Sequence, residues 1–208
     1  NSSFTASFSG LPSDISLDGE NDFQGSVSAD GQNITLKDEN DITFGNINAG
    51  GDLVVDAGGN VEQENGTKIV FDGKTDLSAG GDITLDGPGN DFKGTVNADG
   101  QNITLSDAND ITLGDVSAGG DLAVDAGDNM NQDSTDKKII VAGKTKLNAA
   151  GSIVLDGRDN EFTKGVTVKA RSYKIIGDSR KDAAEAEAKA HNIKPGAMQP
   201  GTSLFNAN

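Results

Sequence analysis

Short apolar triplets separated by polar turn residues run along most of this chain. In each triplet the first and third positions are mostly aliphatic and the middle position is often polar, as in the Ile-Thr-Leu sequences at 34–36 and 83–85. Alternate side chains of a β-strand point to opposite faces, so such a triplet buries two aliphatic side chains and exposes the residue between them. Connections such as Asp72-Gly73 supply the tight turns between strands. The pattern predicts an all-β fold of many short strands.

Nine candidate strands fall within one stretch of 69 residues. They are Ser26–Ser28, Ile34–Leu36, Ile42–Phe44, Ile47, Leu53–Val55, Val61, Ile69–Phe71, Thr75–Leu77 and Ile83–Leu85. Three strands per coil would divide the stretch into three coils of about 23 residues each.

The chain repeats itself along its length. Residues 25–58 and 94–127 align at an offset of 69 positions, with 25 of the 34 pairs identical. The likeness continues between 68–87 and 138–157 at an offset of 70, and a third copy begins at 160–162. Stacked coils extend naturally by duplication, whereas a meander sandwich gains nothing from such a period. The repeat therefore favours a solenoid of about seven three-strand coils, with the sandwich as the alternative.

The repeat also sets the predicted boundaries. These are an N-terminal edge segment at 1–12, a repetitive solenoid at 13–176 with units at 17–86, 87–156 and a partial third at 157–176, and a linker or capping tail at 177–208. Within the tail, 181–191 is rich in alanine and glutamate, which predicts a short polar helix without an apolar stripe to face a core.

Charge and composition exclude several classes of function. Residues 1–156 carry 27 acidic and 8 basic side chains, so nucleic-acid binding, which needs a basic surface, is not expected. The chain has no cysteine, which removes disulfides, zinc–thiolate sites and cysteine nucleophiles. No apolar run approaches the roughly 20 residues that cross a bilayer, so the segment is not expected to be embedded in a membrane.

The acidic residues fit the scaffold better than they fit a catalytic or metal site. They recur with the repeat, as Asp30/Asp99, Asp38/Asp107, Asp41/Asp110, Asp52/Asp121 and Asp56/Asp125. A catalytic pair would more naturally break the repeat, and the only histidine, His191, falls in the polar tail. Weak calcium binding at a corner such as 38–41 is an alternative to plain turn chemistry, but the spacing matches no known calcium loop. We therefore expect no enzyme, cofactor or metal site, and the sequence assigns no binding residues.

Two recurrent residue types have predicted structural roles. Asparagines at repeated positions are expected to hydrogen-bond to turn backbone, namely Asn21, Asn90 and Asn160, together with Asn33 and Asn102. Phenylalanines that follow the first of these sets are expected to fill the core beside a turn, namely Phe23, Phe92 and Phe162. The alternative for these aromatics is an exposed row that contacts glycans.

Four phrases of the chain resemble the repeats of large bacterial exoproteins. They are AGGDLVVDAGGNV, SAGGDITLDGPGNDFKGTV, QNITLSDANDITLGDVSAGGDL and GKTKLNAAGSIVLDG. Over about residues 13–170 the chain is similar to the filamentous-haemagglutinin-like adhesins of two-partner secretion and to related autotransporter passengers. The resemblance implies a right-handed parallel β-helix, secreted with the help of a partner outer-membrane transporter and displayed at the bacterial cell surface. It carries over no catalytic or binding residue.

The sequence therefore predicts a structural and adhesive repeat segment of a secreted bacterial surface fibre. Its partners would be the outer-membrane transporter and a receptor or glycan on host cells or other bacteria, in a role linked to virulence. The alternative is a β-helix that binds carbohydrate or degrades polysaccharide, which a non-repeating groove with aromatics and paired acids would indicate. A calcium-dependent spacer is the third hypothesis.

Overall fold

The computed structural model describes residues 2–8 and 11–177, which contain β-strands and no α-helix. In chain order the strands are β1 Ser2–Thr5, β2 Ser7–Phe8, β3 Leu11–Pro12, β4 Ile15–Leu17, β5 Val27–Gly31, β6 Ile34–Asp38, β7 Ile42–Ala49, β8 Leu53–Ala57, β9 Val61–Gln63, β10 Ile69–Phe71, β11 Thr75–Ala79, β12 Ile83–Leu85, β13 Asp91–Phe92, β14 Thr95–Gly100, β15 Ile103–Asp107, β16 Ile111–Ala118, β17 Leu122–Ala126, β18 Met130–Gln132, β19 Ile139–Val141, β20 Thr145–Ala149, β21 Ser152–Leu155, β22 Glu161–Phe162, β23 Val166–Lys169 and β24 Ser172–Ile175. The helix predicted at 181–191 and His191 lie outside the described residues.

The strands form two parallel sheets between which the chain passes back and forth. The first sheet stacks β1-β5-β7-β9-β12-β15-β17-β20-β23, and the second stacks β4-β6-β8-β11-β14-β16-β18-β21-β24. The short strands β10 and β13 extend the first sheet, and β19 and β22 extend the second. Beyond β1, paired residues lie 17–23 positions apart, which is the length of one coil. Nine stacked strands in each sheet make about eight coils.

The parallel all-β solenoid is confirmed, and its coils contain two or three strands that lie in two sheets. Every pair between coils is parallel, which removes the meander sandwich; among the described residues, only β2 and β3 pair antiparallel. Ile47, expected to start its own strand, belongs to the eight-residue strand β7. The first half of β7 pairs with β9 and its second half with β10. Strand β7 therefore joins two predicted strands into one, whereas the next coil contains the three separate strands β8, β9 and β10.

Within one repeat the chain passes between the two sheets an odd number of times. Strand β7 lies in the first sheet, and its counterpart 69 residues later, β16, lies in the second. The same exchange relates β6 to β15 and β8 to β17. Equivalent residues of the two copies consequently face opposite sides of the solenoid.

The core is a narrow column of aliphatic side chains with four buried phenylalanines. In β6 the side chains of Ile34 and Leu36 are fully buried and Thr35 between them is partly exposed, as the triplet pattern predicts. The fully buried phenylalanines are Phe44, Phe71, Phe92 and Phe162. The rings of Phe71 and Phe92 stack with centroids 4.8 Å apart. The predicted core role is confirmed for Phe92 and Phe162, whereas Phe23 is only partly buried and packs edge-on against Phe4.

Two buried threonines offer a test of this core. The hydroxyls of Thr75 and Thr145, at equivalent positions of the two copies, lie in the core without a hydrogen-bond partner. Thr75→Val and Thr145→Val are each expected to raise the free energy of unfolding by about 1–2 kcal/mol, because they remove an unsatisfied polar atom at nearly constant volume. Urea unfolding followed by circular dichroism measures this. The matched change Thr35→Val on the outward face should have little effect, and an equal gain there would contradict the explanation.

Candidate functional site

Asparagine and aspartate side chains form hydrogen-bonded ladders at the corners where strands begin. Each ladder residue directly precedes a strand, and its side-chain oxygen accepts the backbone N–H of the ladder residue one coil on, at 2.6–3.1 Å. Three ladders are Asp14-Asn33-Asp52 ending at the N–H of Lys74, Asp41-Asn60-Asp82-Asn102-Asp121 ending at the N–H of Lys144, and Asp110-Asn129 ending at the N–H of Ser152. The turn-bonding role predicted for Asn33 and Asn102 is confirmed.

Two other predicted asparagines anchor buried amide pairs. Asn90 is fully buried, and its side-chain amide exchanges two 2.8 Å hydrogen bonds with the side-chain amide of Gln63. Its oxygen also accepts the backbone N–H of Ile69 at 2.9 Å. Asn160 and Gln132, at the equivalent positions one repeat later, form the same pair with both bonds at 2.9 Å. These pairs satisfy the backbone N–H groups of Ile69 and Ile139, so they are structural and leave no amide free for a ligand.

The corner considered for calcium is held together by backbone hydrogen bonds. Asp38 is buried, and its two carboxylate oxygens accept the N–H groups of Phe23 and Asn40 at 2.6 and 2.7 Å. Asp107 makes the same two bonds in the second copy. In the part of the chain that the structure describes, no three carboxylate, histidine or cysteine side chains are grouped so that they could hold a metal ion.

The environments of two aspartates predict opposite pKa shifts. Burial raises the pKa of Asp107 above its ordinary value, against the lowering effect of its two N–H donors. The hydrogen bond from Lys137 lowers the pKa of Asp115. Ionised Asp107 therefore costs stability above its folded pKa, a cost that disappears as the pH falls through that pKa. Asp115 contributes stability above its unfolded pKa that is lost as the pH falls through its folded pKa.

Carboxyl ¹³C NMR titration measures both values directly, and Asp107 should titrate at a higher pH than Asp115. Lys137→Met should raise the pKa of Asp115 and leave that of Asp107 unchanged. Coincident titration of the two groups would contradict the assigned causes.

The repeated acids are spread over the molecule instead of being gathered at one site. Asp52 precedes a strand of the second sheet, and its counterpart Asp121 precedes a strand of the first sheet. The same separation holds for Asp56 and Asp125, which lie on β8 and β17. No repeat-related pair is brought together, and the corner acids are occupied by backbone N–H groups.

The outward face of the second sheet carries a groove of about 420 Å³ that sequence reasoning missed. It crosses β8, β11, β14, β16 and β19. Val54 and Ile140 lie at its two ends and are 38% and 39% exposed, more than other large aliphatic residues on the strands of the two parallel sheets. Four carboxylates line it, those of Asp56, Asp76, Asp99 and Asp115. The groove is our candidate interaction site.

Comparison with known proteins places the chain in a repeat family. The profile of the family described as repeats of unknown function (DUF5649) matches residues 31–99 and 100–169, which together make up more than half of the chain. The chain belongs to the DUF5649 repeat family. No curated protein and no solved structure matches it.

The groove lies where the two DUF5649 repeats meet. Strands β8 and β11 come from the first matched repeat, β16 and β19 come from the second, and the boundary between the matches falls within β14. The counterparts of the two groove-end residues are smaller, since Ala123 corresponds to Val54 and Val70 corresponds to Ile140. The two residues that are larger than their counterparts, one from each copy, therefore lie on the same face of the solenoid. Only the folded solenoid brings them together.

Among the residues that the structure describes, no helix is long and apolar enough to cross a membrane.

Proposed function

We propose that this DUF5649 chain is a structural and adhesive repeat segment of a secreted bacterial surface fibre. The observation that carries the proposal is the uninterrupted parallel stack of about eight coils, in which the core and the corner ladders repeat from coil to coil. Such a stack gains length by adding coils and needs contacts only between neighbours. That is the property required of a fibre that holds a contact surface away from a cell.

The resemblance to filamentous-haemagglutinin-like adhesins supports the placement at the cell surface. On this proposal the fibre crosses the outer membrane through a two-partner-secretion transporter, and its outward faces contact a receptor on a host cell or another bacterium. The net charge of −16 keeps such an elongated surface soluble and discourages non-specific association between fibres.

The carbohydrate alternative has less support in the described residues. Sugar-binding grooves commonly offer exposed aromatic rings, and the four core phenylalanines of this solenoid are fully buried. Glycoside cleavage needs two carboxylates facing a substrate cleft, whereas the corner acids here accept backbone N–H groups of the next coil. We therefore favour attachment to a surface partner over processing of a polysaccharide.

Binding of the purified fragment to host cells, bacterial cells and a glycan array tests the proposal. The matched control is a fragment whose outward residues on both sheets are shuffled while the inward residues and ladders are kept. Saturable binding that the control loses would identify an adhesive segment. If the fragment is folded by circular dichroism and binds no surface, the adhesive part of the proposal is wrong and a spacer role is left.

A further inference from the structure

One straight row of outward side chains runs along the groove, parallel to the solenoid axis. Strand register aligns Asp56, Ser78, Asp99, Ser117 and Ile140 as direct neighbours on successive coils. All five side chains are exposed. Adjacent parallel strands are about 4.8 Å apart, so the larger side chains recur about every 9.6 Å with a small serine between them.

In the equivalent rows on the first sheet, asparagine side chains hydrogen-bond to the outward aspartate carboxylates. Asn48 occupies the position of Ser117, and its amide donates to Asp30, the counterpart of Asp99, at 2.8 Å. Asn148 occupies the position of Ser78 and lies 3.5 Å from Asp125. The serines of the second sheet are too short to make these bonds. Within the described residues, no hydrogen bond or ion pair reaches the carboxylate of Asp99, although the other three carboxylates of the groove have lysine partners.

Those lysine pairs are weak competitors for a ligand. They are Lys37–Asp56 at 3.5 Å, Lys74–Asp76 at 3.0 Å and Lys137–Asp115 at 2.9 Å. Their side chains are largely exposed, and exposed ion pairs contribute about 0–1 kcal/mol. One cationic group of a partner can therefore replace Lys37 at Asp56 at little cost. A second cationic group can bind Asp99 without displacing any side chain.

We infer that this row docks an extended, cationic polypeptide segment in the polyproline II conformation. Such a segment presents every third side chain on one face at a spacing of about 9.3 Å, which matches the two-coil spacing of the row. In a β-strand the side chains on one face repeat at about 6.8 Å, so a strand could not place successive side chains at the spacing of about 9.6 Å in this row. Two basic residues three positions apart would meet Asp56 and Asp99, and an apolar residue three further on would contact Ile140. The inference rests on the proposed adhesive function and names the class of partner.

The test uses a fluorescent peptide with the sequence Lys-Pro-Pro-Lys-Pro-Pro-Leu and fluorescence anisotropy at low ionic strength. We expect the unaltered chain to bind it, and we expect S78N together with S117N to weaken binding at least tenfold without changing net charge. Both substitutions copy asparagines that the chain already carries at equivalent positions, so the fold should be kept, which thermal melting checks. The matched control, Ser106→Asn, makes the same change in the outward row of the first sheet and should leave binding unchanged.

Three peptide-binding results would each overturn the inference. They are equal binding of a peptide with glutamate in place of lysine, equal binding of an isomer with adjacent lysines, and equal binding by the double variant. Self-association of the chain that the double variant abolishes would also overturn it, since a second copy would then occupy the row. Cell attachment is measured separately with the same variants. Attachment that survives the double variant leaves the proposed function standing while the peptide assignment fails.

Discussion

Replacing Asn90 with alanine is expected to lower the free energy of unfolding by about 4 kcal/mol. The change leaves the backbone N–H of Ile69 buried without its acceptor, which costs about 1–3 kcal/mol. It also removes both hydrogen bonds between Asn90 and the side-chain amide of Gln63, at about 1 kcal/mol each, while Gln63 keeps its two other hydrogen bonds. Urea unfolding with fixed protein concentration measures the loss. Asn160→Ala should give a similar loss, because Asn160 makes the same hydrogen bonds with Gln132 and Ile139.

Asn21 provides the matched control for this prediction. It opens the same motif in the first copy, but it is only partly buried and donates solely to carbonyls, those of Leu17, Gly19 and Lys37. Asn21→Ala should cost about 1 kcal/mol, as for an ordinary hydrogen bond. A loss at Asn90 as small as the loss at Asn21 would mean that water or a shifted turn satisfies the freed groups.

Gly94→Ala is expected to destabilise the solenoid by about 3 kcal/mol, the upper range for overpacking. Gly94 sits one coil above Gly73, and an added Cβ would overlap the Gly73 carbonyl group. Backbone cannot move aside as the end of a side chain can, so the two coils must separate and weaken the adjacent strand pairing.

Thermal and urea unfolding both measure the effect of Gly94→Ala. Gly19→Ala is the control, since a Cβ there meets no atom within 4 Å and no positive φ is involved. If both glycine variants unfold at the same urea concentration as the unaltered chain, close stacking of the coils at Gly94 does not limit stability.

The sequence predicts the local features of this fold well and the global ones less well. Alternation in triplets such as 34–36 identifies strands and their inward faces, because burial of aliphatic side chains depends only on neighbouring positions. Three-strand coils such as β8-β9-β10 were predicted, but the sequence did not show that the candidate strands at Ile42–Phe44 and Ile47 join into one long strand with a bulge in its pairing. That difference is decided by pairing with strands on other coils.

The candidate site also depends on how strands of different coils pair with one another. Nothing in the sequence places Gln63 beside Asn90, although the need of Asn90 for a buried partner is readable from its repetition. Likewise Val54 and Ile140 belong to different copies, and their shared face follows from an odd number of sheet crossings per repeat. The one available signal was that each is bulkier than its counterpart in the other copy.

The exchange of sheets between the two copies has a consequence for how solenoids of this family change length. Each additional repeat lengthens the stack by about 17 Å, from three and a half coils of about 4.8 Å, and rotates everything beyond it by half a revolution. Gain or loss of a single repeat would therefore turn the coils beyond it to the opposite side. A solenoid whose two ends must keep their relative orientation is expected to gain or lose these repeats two at a time.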